Sequence, residues 1–284
     1  MKNKVVLGES IMIIVLVIII GILLMEYNPH TEANYVYLEY GDKFSGFEFY
    51  DTVGNPVDNS FLNSDKKPTV ILYLTADCSG CVDTITDFNR FQSVFGDSLN
   101  YIFLWENEIP KNLVDKYTSN VASYTLNGKT KLSVSTPTYY IIDEENIVLF
   151  KDVERSNLIQ KILDLDLIKK DDLQRNATQY IIDSYFDGNR SGKPKLVYFY
   201  MPGCSDCQAA DNLIKSEQFD KKYAIVYIYK YDSIEDNVIV DKDKLFAKVY
   251  GVNWYPSFLL ISDTNYKFVE TANQEKLESI LNKF

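Results

Sequence analysis

The chain contains four cysteines, and they form two C-x-x-C pairs, Cys78 with Cys81 and Cys204 with Cys207. Two cysteines three residues apart on a helical turn can be bridged by a disulfide without backbone movement, so each pair could cycle between dithiol and disulfide. A C-x-x-C pair is equally a metal-binding unit, and the two pairs could hold Zn²⁺. The cysteines by themselves therefore allow either redox chemistry or metal binding.

The elements around the first pair suit the redox interpretation. Thr69–Leu74 is an apolar run with β-branched residues, which predicts a buried strand that ends shortly before Cys78. After Cys81, apolar residues recur every three to four positions, which predicts a helix. The free N–H groups and the positive dipole end at the start of a helix stabilise an anion, so a thiolate placed there becomes more reactive.

The second pair repeats this arrangement 126 residues later (204 − 78). A Lys-Pro dipeptide precedes the strand at the same offset in both copies, beginning at Lys67 and at Lys193. In each copy a proline then opens another apolar strand, Pro137 being 59 residues after its leading cysteine (137 − 78) and Pro256 52 residues after its own (256 − 204). Two self-contained copies so far apart in the chain argue against a single zinc ion shared by both pairs.

The rest of the chain predicts further elements in a parallel order. Alternating aromatic and polar residues over 35–40 and 46–50, with a turn over 51–56, predict a β-hairpin before the first strand. Other patterns predict strands over 100–105, 138–142, 147–150, 224–229, 255–261 and 266–269, and helices over 109–117, 158–163, 242–250 and 277–284. Between the copies, residues 169–188 predict a helix that leads into the second copy, followed by a flexible piece over 187–193.

The N-terminus predicts a membrane anchor. Within residues 5–25 only Glu9 is charged, and about 20 apolar residues suffice to cross a bilayer as a helix. Because Lys2 and Lys4 precede this run, the positive-inside rule puts the N-terminus in the cytoplasm and all later residues outside. The expected localisation is therefore the cell membrane, as a single-pass protein with extracytoplasmic catalytic domains. The alternative is a cleaved signal peptide, with a weak cleavage site over residues 31–33.

Composition removes several classes of function. The net charge of −11 argues against nucleic acid as a partner and against a polybasic membrane-binding patch. The single histidine, His30, makes Ser-His-Asp catalysis and His-rich metal sites very improbable. Disulfides persist outside the cytoplasm, and structural disulfides would be expected there. All four cysteines nevertheless lie in C-x-x-C pairs, which favours a redox protein over a fold stabilised by structural disulfides.

The order of strand, C-x-x-C, helix, proline-opened strand, hairpin and helix resembles the thioredoxin fold, and it occurs twice. The first copy is similar to membrane-anchored TlpA-like (redoxin) thiol–disulfide oxidoreductases, and the second, through residues 247–258, is similar to thioredoxin itself. The resemblance implies an α/β chain with two thioredoxin-fold domains, each a central mixed sheet flanked by helices, after a transmembrane helix. The implied units are an anchor over 1–28, a first domain over 34–167, a linker with a helix over 168–192 and a second domain over 193–284.

The resemblance also implies roles for individual residues. In that family the first cysteine of each pair is the exposed nucleophile and the second resolves the mixed disulfide. The proline is cis, and the residue before it can pair with an extended substrate backbone. Carried to this sequence, the nucleophiles are Cys78 and Cys204, the resolving thiols are Cys81 and Cys207, and the substrate-binding residues are Thr136, Pro137, Tyr255 and Pro256.

Several positions depart from the thioredoxin pattern. Asp77 and Gly203 stand where a tryptophan usually precedes the first cysteine, and Leu72 and Tyr198 occupy the place of a buried acid in the preceding strand. A carboxylate beside a thiol disfavours the thiolate, so Asp77 and Asp206 predict sites that are not extremely oxidising.

The sequence thus predicts an extracytoplasmic, membrane-anchored thiol–disulfide oxidoreductase with two redox-active disulfides and no other cofactor or metal. Its partners would be protein thiols or disulfides and a redox protein that recharges the sites, and the two sites could also relay electrons to each other. Two alternatives stay open: a protein whose C-x-x-C pairs bind zinc, and a substrate-binding or chaperone-like module with the same fold.

Overall fold

A computed structural model of the chain describes residues 34–63, 65–110, 121–127, 130–186, 192–229, 231, 237–262 and 265–284. The predicted membrane anchor with its signal-peptide alternative, most of the predicted helix over 109–117 and most of the flexible piece over 187–193 lie outside these residues. Within the described part of the chain, no helix has both the length and the apolar character that a bilayer crossing needs.

The structure is mixed α/β, with two mixed sheets flanked by helices, and the first sheet has seven strands. Their bounds are β2 Phe49–Tyr50, β3 Pro56–Val57, β4 Thr69–Leu74, β5 Asn100–Trp105, β6 Ala122–Leu126, β8 Thr138–Ile142 and β9 Val148–Asp152. Their spatial order is β3-β2-β6-β5-β4-β8-β9. Strand β4 pairs in parallel with β5 and antiparallel with β8, and it therefore lies in the interior of the sheet.

The second sheet has five strands in the order β12-β11-β10-β13-β14. Their bounds are β10 Lys195–Phe199, β11 Ala224–Tyr229, β12 Val238–Val240, β13 Ser257–Ile261 and β14 Tyr266–Glu270. Strand β10 is parallel to β11 and antiparallel to β13, and β11 is parallel to β12. This is the order and direction of β6-β5-β4-β8-β9 in the first sheet, so the repeat seen in the sequence is also present in the strand topology.

The central strand β4 is buried on both faces, as its unbroken apolar pattern predicts. Because side chains alternate along a strand, Val70, Leu72 and Leu74 join one hydrophobic cluster. Ile71 and Tyr73 join a second cluster on the opposite face. Packing on both sides fixes the end of this strand, from which the first cysteine pair follows.

The helices lie on the faces of the two sheets. Their bounds are α1 Cys81–Phe95, α2 Arg155–Asp164, α3 Lys170–Tyr185, α4 Ser205–Ser216, α5 Phe219–Lys222, α6 Leu245–Tyr250 and α7 Gln274–Lys283. The apolar stripe predicted for α1 comprises Val82, Ile85, Phe88, Phe91 and Phe95, and the last four of these are fully buried. Burial of this stripe holds the helix against the sheet and therefore holds Cys81 at its first turn.

Helix α3 packs against both halves of the chain, which we take here as residues 34–167 and 193–284. Its buried residues Leu173, Ala177 and Ile181 belong to a cluster that contains side chains of α1 and of α6. The hydroxyls of Thr178 and Tyr250 lie 2.7 Å apart. The two halves therefore share one continuous hydrophobic core and are not connected by a flexible linker alone.

One prediction about the N-terminal part of the described chain is wrong. The hairpin forms between β2 and β3, but residues 36–40 are not part of a strand. Only Asn34–Tyr35 of this stretch form a strand, β1, and it pairs in parallel with β7, Thr130–Lys131, in a separate small sheet. A turn follows in which Gly41 has a φ of +88°, and Phe44 then packs in the core beside Tyr140.

Candidate active site

The first cysteine site, which we define as Cys78, Cys81, Thr136 and Pro137, lies where β4 gives way to α1. The N–H of Cys78 donates to Thr75 O at 3.3 Å, and the N–H of Cys81 donates to Cys78 O at 3.1 Å, so two tight turns connect strand and helix. Cys78 and Cys81 form a disulfide with a Cα–Cα distance of 5.3 Å. Cys78 is partly exposed and Cys81 is buried, so of the two sulfurs only that of Cys78 is accessible from solvent.

The proline of the first site lies beside this disulfide because β8 is the antiparallel neighbour of β4. The Thr136–Pro137 peptide bond is cis. The carbonyl oxygen of Thr136 lies 3.6 Å from Cys78 Sγ. The hydroxyls of Thr75 and Thr136 are 3.0 Å apart, which ties the proline loop to the end of β4.

The second cysteine site, which we define as Cys204, Cys207, Tyr255 and Pro256, has the same geometry with free thiols. Cys204 is the N-cap of α4, and the backbone N–H of Cys207 donates to its sulfur at 3.1 Å. The Tyr255–Pro256 bond is cis, and Tyr255 O lies 3.8 Å from Cys204 Sγ. A backbone N–H aimed at a sulfur at the start of a helix stabilises negative charge on that sulfur.

Cys207 is buried, and its environment keeps it protonated. Burial, together with its hydrogen bond to Cys204, raises the pKa of the Cys207 thiol to about 12. The hydroxyl of Tyr198 donates to the Cys207 carbonyl at 2.7 Å and so fixes the first turn of α4. At neutral pH Cys207 is therefore a thiol and not a thiolate.

The structure brings each cysteine pair together with the proline that the sequence assigned to it. Cys78 is adjacent to Thr136–Pro137, and Cys204 is adjacent to Tyr255–Pro256. The catalytic and substrate-binding roles of these eight residues stay predictions. Within the described residues, no group of three or more His, Cys, Asp or Glu side chains is arranged to hold a metal ion.

Two buried carboxylates near the sites were missed in the sequence. Glu106 follows β5, is 5% exposed, accepts a hydrogen bond from Tyr73 Oη at 3.2 Å and pairs with Lys131 Nζ at 2.8 Å. Asp241 follows β12 and accepts hydrogen bonds from Phe246 N at 3.3 Å and Ala247 N at 3.1 Å. Each acid directly follows a strand, which is the one sequence signal that could have marked them.

Asp241 lies close to the second site. Burial raises the pKa of its carboxyl to about 6, against the two backbone N–H groups that lower it. Burial and, after it, the Asp241 carboxylate and Cys207 raise the pKa of the Tyr255 hydroxyl. The residue before the second proline is therefore within the electrostatic reach of both groups.

The raised pKa of Asp241 predicts a specific pH dependence of stability. Between pH 4 and 6 the unfolded chain releases this proton while the folded chain keeps it, so the contribution of Asp241 to the unfolding free energy decreases as the pH rises. Replacing Asp241 by Asn removes this dependence. The difference in unfolding free energy between the natural protein and Asp241→Asn should shift by about 2 kcal/mol from pH 4 to pH 7, in favour of the variant.

Urea denaturation of both proteins at pH 4, 5.5 and 7 measures this shift. Asn keeps one oxygen for the N–H groups of α6, so a constant offset between the curves is expected and does not bear on the prediction. If the unfolding free energies of the two proteins differed by the same amount at all three pH values, Asp241 would titrate as an ordinary aspartate.

The surfaces around the two sites differ in chemistry. A cleft of about 640 Å³ lies beside the first site, and its lining is mostly polar and charged, including Asp77, Glu106, Glu108, Lys131 and Thr136. The second site instead has exposed apolar side chains nearby. Trp254, which is 74% exposed, directly precedes Tyr255, and Met201, which is 42% exposed, lies in the loop before Cys204.

No protein-family model and no curated protein sequence matches the chain. Solved structures similar to parts of it include a thiol:disulfide interchange protein from Bacteroides sp., with 16% identity and a TM-score of 0.37 over 45% of this chain and 90% of the other. A thiol-disulfide oxidoreductase from Bacteroides fragilis NCTC 9343 has 12% identity and a TM-score of 0.37 over 44% of this chain and 99% of the other. A thio-disulfide isomerase from Thermus thermophilus has 17% identity and a TM-score of 0.34 over 45% of this chain and 98% of the other. Similarity at this level does not establish an activity for this chain.

Proposed function

We propose that the chain is a thiol–disulfide oxidoreductase with two thioredoxin-like active units. One repeated observation supports this most strongly: a partly exposed cysteine sulfur lies 3.6 Å or 3.8 Å from the carbonyl oxygen that precedes a cis proline. In both sites the cysteine three residues further along is buried. An exposed nucleophile with a shielded partner and an extended backbone beside it is the arrangement that sulfur exchange with a polypeptide requires.

The reaction needs only the two sulfurs of one pair. The exposed thiolate attacks a client disulfide, a new S–S bond forms, and one client sulfur leaves as a thiolate that takes up a proton. The buried thiol then loses its proton and attacks the exposed sulfur, which releases the second client sulfur. Two electrons pass from the pair to the client, the pair becomes a disulfide, and a separate reductant must return it to the dithiol. The reverse sequence oxidises a client dithiol.

We also propose that both units act outside the cytoplasm. The apolar run over residues 5–25, preceded by Lys2 and Lys4, supports an N-terminal anchor over 1–28. The repeat in sequence and strand order supports units over 34–167 and 193–284, with residues 168–192 between them. In this arrangement the two sites face secreted or envelope proteins, where disulfides persist.

Reduction of insulin by dithiothreitol tests the activity, because precipitation of the insulin B chain reports catalysed exchange. We expect the full-length protein to accelerate precipitation well above the uncatalysed rate. A zinc assay of the same preparation should find much less than one metal ion per chain. Stoichiometric zinc together with four thiols that resist alkylation would instead select the metal-binding alternative. Metal-free protein without any acceleration would leave a binding or chaperone-like module.

A further inference from the structure

A second cleft beside the first cysteine site is lined by both halves of the chain. Its volume is about 300 Å³. The first half contributes Pro137, Tyr139, residues 153–156 and three residues of α1, and the second half contributes Lys242 and Asp243. Because the second half reaches this cleft, the surroundings of the first site are not made by its own half alone.

The segment with Lys242 and Asp243 is held rigidly against the first half. The guanidinium of Arg155 hydrogen-bonds Asp243 through Nε and Asp87 through Nη2, the latter at 2.7 Å. Arg90 on α1 donates to Val240 O at 2.8 Å, and its other Nη lies 3.6 Å from Asp243. Side chains of the first half therefore fix this segment from both α1 and α2.

The segment is also held from within the second half. The buried carboxylate of Asp241 accepts the N–H groups of Phe246 and Ala247 at the start of α6. The residue beside it, Lys242, is exposed and lies on the cleft. Anchoring on both sides makes the segment a fixed wall.

The wall and the proline of the first site line the same cleft. Pro137 lines the cleft, and the residue before it places its carbonyl oxygen 3.6 Å from Cys78 Sγ. Asp83 and Thr84, which also line the cleft, follow Cys81 by two and three residues on α1. A polypeptide whose sulfur reaches Cys78 and whose backbone runs past Pro137 therefore comes to the cleft that Lys242 and Asp243 line.

The lining of the cleft carries an excess of negative charge. Arg155 is already paired with Asp87 and Asp243, and the exposed carboxylates Asp83 and Glu154 add two further negative charges against the single positive charge of Lys242. The larger cleft, which Thr136 lines, has the same sign, with three carboxylates against one lysine. Negative potential in two clefts beside an exchange site attracts cationic segments and repels anionic ones.

We propose that Lys242 and Asp243 of the second half form one wall of the client groove at the first site. This groove selects polypeptide segments with basic residues flanking the reacting cysteine. The inference rests on the proposed function, because it assigns a client class to a thiol–disulfide exchange site. The second site has the apolar side chains of Trp254 and Met201 exposed nearby, and we expect it to serve clients with less regard to charge.

The test uses the full-length protein with Cys204→Ser and Cys207→Ser, so that only the first site reacts. Two peptides of equal length, each presented as a disulfide dimer, carry either two lysines or two glutamates next to the cysteine. Single-turnover reduction by the dithiol form is followed by acid quench and alkylation. We expect the lysine peptide to react about tenfold faster at low ionic strength, with the ratio reduced to about threefold or less in 0.5 M salt.

Two comparisons separate the wall from the general negative charge of the protein. Lys242→Glu should increase, by about threefold, the ratio of the rate with the lysine peptide to the rate with the glutamate peptide. Lys276→Glu, an equal charge change at an exposed position on α7, should leave this ratio unchanged. Lys242→Gln, which is a smaller change, should shift the ratio in the same direction by a smaller factor. The protein with Cys78→Ser and Cys81→Ser instead reports the second site at the same net charge, and its ratio should be clearly smaller.

Exchange with both peptides at equal rates, or equal effects of Lys242→Glu and Lys276→Glu, would overturn the inference while leaving the oxidoreductase activity intact. A failure of the first site to exchange with either peptide would overturn the proposed function at that site. Far-ultraviolet circular dichroism of each variant establishes that it is folded before its rates are compared.

Discussion

The catalysed part of insulin reduction, measured above the uncatalysed dithiothreitol rate, should fall at least about 1000-fold when Cys78→Ser and Cys204→Ser are combined in one chain. Each replacement removes the partly exposed sulfur of its site, and the remaining cysteine of each pair is buried. A serine hydroxyl cannot form the mixed disulfide, so no alternative nucleophile is accessible. Each single variant should keep the activity of the other site, and the two residual activities should add up to that of the natural protein.

The buried cysteines should give a different outcome. Cys81→Ser and Cys207→Ser keep the attacking sulfur but remove the thiol that releases the client, so each variant should accumulate a mixed disulfide with a client peptide. Non-reducing electrophoresis and mass spectrometry of the adduct measure this accumulation. The matched controls are Cys78→Ser and Cys204→Ser, which should form no adduct. Equal trapping by both cysteines of a pair would contradict the assignment of nucleophile and resolving thiol.

The sequence was most informative where structure is local. The strand β4, the turn and the helix α1 follow one another without a gap, and the apolar patterns that predict them are the patterns they bury. The positions of Pro137 and Pro256 beside the cysteines were accessible because the repeat aligned two independent copies. A pattern that occurs twice constrains the fold more strongly than either copy alone.

The elements that were missed depend on contacts between distant residues. Strand β6, Ala122–Leu126, is partly polar and gives little apolar signal, yet it pairs with both β2 and β5. The ion pair between Arg155 and Asp243 joins residues 88 positions apart. No periodicity in the sequence reports such a pair, because each partner alone resembles an ordinary surface charge.

The ion pairs that Arg90 and Arg155 make with Asp243 show why the two halves should not be treated as independent units. Phe246 of α6 lies under the guanidinium of Arg90, with 5.9 Å between Cζ and the ring centroid. Helix α3 contributes to the core on both sides. The wall of the first site is therefore a consequence of how the halves pack, and its position depends on the charges buried between them.

Loss of one partner from the ion pairs around Asp243 should be strongly destabilising. Arg155 and Asp243 have side chains that are 11% and 9% exposed. Burial opposes the guanidinium charge, but Asp243 and Asp87 outweigh it and raise the pKa of Arg155 above its ordinary value. Among the described residues, Arg155→Leu leaves the buried Asp243 with one ion-pair partner, Arg90, at 3.6 Å. We expect the free energy of unfolding to fall by about 3 kcal/mol, because an uncompensated buried charge is expensive.

Arg175→Leu is the matched control, because Arg175 also pairs with an aspartate, Asp172, but their side chains are 69% and 47% exposed. Its loss should lower the unfolding free energy by less than about 1 kcal/mol. The double variant Arg155→Leu and Asp243→Leu should recover part of the loss, because two buried leucines leave fewer unpaired charges than one leucine opposite a carboxylate. Urea denaturation of the four proteins measures these differences. If Arg155→Leu and Arg175→Leu lowered the unfolding free energy equally, the ion pairs between the halves would be no more important to stability than a surface pair, and the first site would lack a firmly held wall.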